Sequence, residues 1–156
     1  MSGGLGVRRS GGQVFRGRMS LVAALLCLSI SRSSSAQDAV SAGRAAARDA
    51  AIRIFVVTGS LRVTAWDRDS VSVKGRVDPA AGRFFLGGTQ NALKLGVEVP
   101  AGKEPDGTSD LDVNVPAGAR LWIKSTAADV EVTAAGGAIV VNGTSGRIRV
   151  AGTASE

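Results

Sequence analysis

Branched aliphatic residues two positions apart recur toward the end of the chain. Between Arg120 and Ser155 they fall in nine-residue rows, RLWIKSTAA, DVEVTAAGG, AIVVNGTSG and RIRVAGTAS. The second position of each row is Leu121, Val130, Ile139 or Ile148, and the fourth is Ile123, Val132, Val141 or Val150. Apolar residues two apart predict a strand with one buried face, and the small, Gly-rich remainder of each row predicts turns. A fixed period means a repeat architecture in which each unit buries its apolar face on its neighbours.

Two stackings are open. Successive rows can pair as an antiparallel meander or sandwich, or two rows can make one coil, so that residue i lies beside residue i+18 in a parallel strand. The charges favour coiling. At that offset Asp129 meets Arg147 and Glu131 meets Arg149, while Leu121 meets Ile139 and Val132 meets Val150. Aliphatic ladders inside and compensated charges outside are what cross-strand pairing rewards, at roughly 0.2–1 kcal/mol per pair. The expected fold is all-β, a single-stranded β-solenoid or β-helix-like repeat domain.

The same phase begins at Ile52. Ile52, Ile54 and Val56 alternate with Arg53, Phe55 and Val57; Leu61, Val63 and Ala65 follow across a predicted turn at Thr58-Gly59-Ser60. Val71 and Val73 come after the charged turn Asp67-Arg68-Asp69. A middle segment, 84–99, holds a strand with Leu93, Leu95, Val97 and Val99 on one side, and a Pro/Gly loop runs from Pro100 to Asp110. Leu111–Val115 then leads through Pro116-Ala117-Gly118 into the regular rows. The repeat domain is expected over residues 52–156. Glu156 follows a complete row with no closing unit, so the expectation is an N-terminal portion of a longer repeat protein.

Composition changes the picture at the N-terminus. The formal charge is +6, but five of the 19 basic residues and none of the 13 acidic ones lie in the first 36 positions. The remainder is nearly balanced and has no basic cluster interleaved with aromatics, so nucleic acid is not an expected partner. Residues 1–36 read as a secretory signal: a basic n-region, the apolar run Leu21–Ile30, and small residues Ser34 and Ala36 before Gln37. The start codon is assigned equally well to Met1 or Met19. The apolar run is shorter than the ~20 residues a membrane span needs, so no transmembrane anchor is expected after cleavage. Cys27, the only cysteine, would leave with this leader. The chain is therefore expected to be exported, to the periplasm, cell surface or medium. Residues 37–51, QDAVSAGRAAARDAA, lack an apolar stripe and read as a flexible Ala-rich lead-in.

With these residues in place, the chain resembles a bacterial "putative adhesin" family of β-strand repeat proteins, domain of unknown function 4097. Gly59–Val73 is similar to the family's G-x-L-x-V-x-x-W-D-x-D-x-V opening, Val115–Leu121 to its V-P-x-G-x-x-L joint, and the rows from Asp129 to its G-x-V-x-V repeats. Ala127-Ala128 stands where the family has a glycine before the first repeat row. The resemblance covers nearly all of the chain from Ile52. It implies an exported β-helix-like domain with no catalytic residues to carry over.

Candidate chemistry is sparse. The chain has no histidine, which excludes Ser-His and Cys-His nucleophile pairs and imidazole metal ligands. Asp106, Asp110 and Asp112 form the nearest carboxylate cluster; their spacing matches no calcium loop, and they read as a solvated acidic segment. No cofactor or metal is expected. Trp66 and Trp122 are the only tryptophans. Trp66 ends a strand before the charged turn. Trp122 lies on the outward side of the first row, where it either stacks on a sugar or anchors a partner, or is covered by Phe84 and Phe85 of the middle segment. Two functions remain in view. One is a non-enzymatic envelope or surface module, adhesin-like or scaffolding, whose strand face binds a surface glycan, an envelope protein or another copy of itself. The other is a fragment of a carbohydrate-active β-helix enzyme, a polysaccharide lyase or hydrolase, whose site lies outside this chain.

Overall fold

Alternating apolar and polar residues fold into nine strands of one mixed sheet. The computed structural model describes residues 37–153, and no helix occurs among them. The strands are β1 (Asp38–Ala45), β2 (Ala51–Trp66), β3 (Ser70–Val77), β4 (Arg83–Gly88), β5 (Ala92–Glu98), β6 (Ser109–Pro116), β7 (Arg120–Ala135), β8 (Ile139–Ser145) and β9 (Ile148–Thr153).

β2 and β7, each of 16 residues, are the central pair. They run parallel, with Ile52 beside Leu121, Ile54 beside Ile123, Leu61 beside Val130 and Val63 beside Val132. In both, the buried positions change parity midway. Ile52, Ile54 and Val56 are buried in β2, and then Leu61 and Val63; in β7 Leu121 and Ile123 are followed by Ala128, Val130 and Val132. A strand that changes parity and still buries both sets has turned a corner around the core. In β2 the corner is at Gly59, whose φ is 106° and whose added Cβ would stand 2.1 Å from the Ser109 carbonyl oxygen. Only glycine fits there. Its partner across the pair is Ala128, fully buried, so the first repeat row turns the same corner without a glycine.

The corner divides the sheet in two. Before it, the order is β4-β5-β2-β7-β8; after it, β1-β3-β6-β2-β7-β9. Inward side chains of both halves join one core cluster that includes Ile52, Ile54, Val63, Val73, Leu95, Val113 and Ile123. Each such Ile or Leu contributes about 1.5–3 kcal/mol by leaving water.

The offset of eighteen is present. β8 lies parallel to the first half of β7 with Leu121 beside Ile139, and β9 to the second half with Val130 beside Ile148 and Glu131 beside Arg149. Among the described residues antiparallel pairing is confined to β1–β3, β3–β6 and β4–β5.

Three expectations are corrected. The lead-in 37–51 is not loose: 38–45 is β1, paired antiparallel along all of β3. An edge strand needs backbone partners more than an apolar stripe, and Val40 alone reaches the margin of the core. The predicted turn at Thr58-Gly59-Ser60 is no chain reversal, since pairing with β7 resumes at Thr58 and continues to Thr64; the first two rows likewise form one strand. The middle segment holds a hairpin, β4 with β5, rather than a single strand. The proposed leader, 1–36, lies outside the described residues.

Candidate binding face

The two halves of the sheet present different outer surfaces. After the corner, the outward residues alternate in charge across the strands. Lys74 of β3 faces Asp112 of β6, Asp112 faces Arg62 of β2, Arg62 faces Glu131 of β7, and Glu131 faces Arg149 of β9. Arg62 lies 3.4 Å from Asp112 and 3.2 Å from Glu131. In the next row Ser60 donates its hydroxyl to Asp110 at 2.7 Å, and Arg76 faces Asp110 in register. A hollow of about 290 Å³ over these rows is lined by the same self-compensating charges. Each exposed pair adds no more than about 1 kcal/mol, but together they leave little net charge for a ligand.

Before the corner, the outer surface is aromatic and cationic. Phe55 of β2 is the middle of a strip: its ring centroid lies 5.5 Å from that of Trp122, edge to face, and 6.3 Å from that of Phe85. Gly96 separates Phe55 from Phe85 in the cross-strand row, and with φ 145° its added Cβ would stand 2.0 Å from the Phe55 carbonyl oxygen. The missing side chain lets the two rings meet over β5. Around the strip, Arg53 faces Trp122 on one side and Lys94 on the other, and Lys124 faces Phe55. Arg120 donates Nε–H to the Asp49 carbonyl at 3.4 Å. Arg53, Lys94 and Lys124 are exposed, and none has a carboxylate within salt-bridge distance among the described residues. Glu98, at the far end of β5, is cross-strand to Arg83. A hollow of about 570 Å³ runs along the Trp122 side, lined by Arg53, Phe55, Arg120, Trp122 and Val140 among others.

The tryptophans are not brought together. Trp122 is half-buried and meets Phe55 edge to face; Phe84 turns toward the core instead, and the ring paired with Phe85 is that of Phe55. Trp66 lies on the other half, where its Nε1–H donates to the Ser70 carbonyl at 2.8 Å and Arg68 sits 5.0 Å over its ring. Its indole thus closes the turn between β2 and β3. Asp110 and Asp112 face Ser60 and Arg62, while Asp106 stays in the β5–β6 loop with its N–H on the Ala80 carbonyl. Among the described residues no group of three or more His, Cys, Asp or Glu is placed to hold a metal ion. No helix there is long and apolar enough to cross a membrane.

Sequence reasoning missed Phe55, Arg53 and Lys94. Shifting the stretch from Ala51 by 69 positions onto the first row sets Arg53 beside Trp122 and Phe55 beside Lys124, the pairing that the structure has.

No family model matches the chain, and no curated protein does. Among solved structures it is similar to a "putative cell adhesion protein" from Clostridium sporogenes, at 7% identity and TM-score 0.44 over 74% of this chain and 68% of that one. A "putative adhesin" from Bacteroides fragilis is 9% identical at TM-score 0.39, over 74% of this chain and 62% of the other. A "putative adhesin" from Parabacteroides distasonis is 15% identical at TM-score 0.39, over 76% and 58%. The chain thus spans less than two thirds of the last two.

Proposed function

We propose that the chain is an exported, non-enzymatic module of the bacterial envelope or surface, and that it binds a glycan through the face carrying Trp122. The parallel rows are read as coils of a β-solenoid, in keeping with the resemblance to domain of unknown function 4097. The site supports the adhesin-type role. One observation carries it: the Phe85–Phe55–Trp122 strip, which lies on the outward side of the sheet across Gly96 and is bordered by cations without acidic partners among the described residues. Rigid aromatic rings offer apolar area at low entropic cost and stack on the faces of sugars, while the cations fix orientation. Trp66 is left with a structural role, because its N–H and ring are used within its own turn.

A glycan array probed with the full chain tests this reading. Binding to a defined set of glycans, lost in Trp122→Ala while the variant still unfolds cooperatively, is expected. An array on which both proteins are silent overturns it.

A further inference from the structure

The reading above leaves the chemistry of the glycan open; the distribution of charge narrows it. On the half of the sheet after the corner the outward rows of Arg62 and Ser60 set cations against carboxylates, and Arg62 touches both Asp112 and Glu131. On the half before the corner Arg53, Lys94 and Lys124 face one another, aromatic rings, Gly87 or Asn142, and never an acid. Lys94 sits directly opposite Arg53. Like charges opposed across neighbouring strands, about 5 Å apart in the sheet, destabilise the fold. Nothing in the packing requires them, since both side chains are exposed. The same protein that compensates the Arg62 row leaves Arg53, Lys94 and Lys124 uncompensated.

We infer that the aromatic face binds an acidic polysaccharide, a polymer of uronate-type sugars whose carboxylates are received by Arg53, Lys94 and Lys124 while a ring rests against Trp122. This rests on the glycan-binding reading and specifies its ligand. A guanidinium takes a carboxylate in a two-pronged, charge-assisted pair, and the two ammonium groups act as point charges on either side of the aromatic strip. Arg53 stands between Lys94 and Trp122 in one cross-strand row. A polymer lying along that row meets the stacking surface first and then two cations in succession. Phe55 holds the Trp122 ring edge-on from the neighbouring row, which keeps the platform in place as sugars come and go.

The test uses the full chain with three probes: polygalacturonate, the same polymer after its carboxyl groups have been reduced to alcohols, and a single-stranded oligonucleotide of matched charge. Polygalacturonate is expected to bind at least about tenfold more tightly than its reduced form, and to lose affinity as salt rises. The triple variant Arg53→Gln/Lys94→Gln/Lys124→Gln removes that preference. It alters only exposed side chains, so it serves even if Trp122→Ala proves unstable. Lys74→Gln, on the opposite half, leaves binding unchanged. Equal affinity for both polymers overturns the acidic ligand and leaves the glycan reading standing. Silence toward both polymers overturns the acidic ligand, and the glycan array then decides the broader reading separately. Tighter binding of the oligonucleotide than of polygalacturonate overturns it as well, and points to a general polyanion surface.

Discussion

Arg147 donates its backbone N–H to the carboxylate of Asp129 at 2.7 Å, eighteen residues earlier in the chain. The bond fixes the register of β9 on β7 where the last strand begins. Asp129→Ala removes the acceptor and is expected to cost about 1 kcal/mol, while Asp129→Asn, which keeps a side-chain carbonyl, recovers most of it. Urea unfolding of the three proteins measures the difference.

The corner of β2 makes a sharper demand. Gly59→Ala places a Cβ against the Ser109 backbone at a φ that L-residues avoid. A loss of at least about 2 kcal/mol is expected, read as a lower denaturation midpoint.

Ser125 is buried, and its hydroxyl is the one buried side-chain polar atom without a hydrogen-bond partner among the described residues. Ser125→Ala removes an unpaired group and keeps the small volume. Stability is expected to rise by about 1 kcal/mol, which thermal unfolding would register as a higher Tm.

Residues of the same phase differ in burial along the stack. Ile123 is fully buried, whereas Ile148 is 41% exposed on β9, which among the described residues pairs with β7 alone. Ile123→Ala is expected to cost about 2–5 kcal/mol, and Ile148→Ala less than about 1 kcal/mol. Chemical denaturation of the two variants side by side checks the contrast.

The eighteen-residue register was legible because it is written twice, in aliphatic pairs such as Leu121 with Ile139 and in charges such as Glu131 with Arg149. The charges mark the register but not the side-chain contacts. Asp129 bonds the backbone of Arg147 rather than its side chain, and Glu131 pairs at 3.2 Å with Arg62. Two features were hidden for physical reasons. A corner within a strand and a turn between strands both shift the apolar phase around a glycine, so Thr58-Gly59-Ser60 admits either reading. β1 is held at an edge by main-chain bonds, which leave no mark on side-chain periodicity. The aromatic strip joins residues from three distant strands, and it is assembled by the pairing of β2 with β7 and β5 and of β5 with β4.

The chain contains two tryptophans, and only one lies on the face that is held to work. Following their two indole N–H resonances by NMR while polygalacturonate is added is therefore the most direct measurement. The signal that disappears in Trp122→Ala should move and that of Trp66 should stay, because its N–H is bonded to the Ser70 carbonyl. Movement of the Trp66 signal alone, or of neither, would contradict a binding surface built on Trp122.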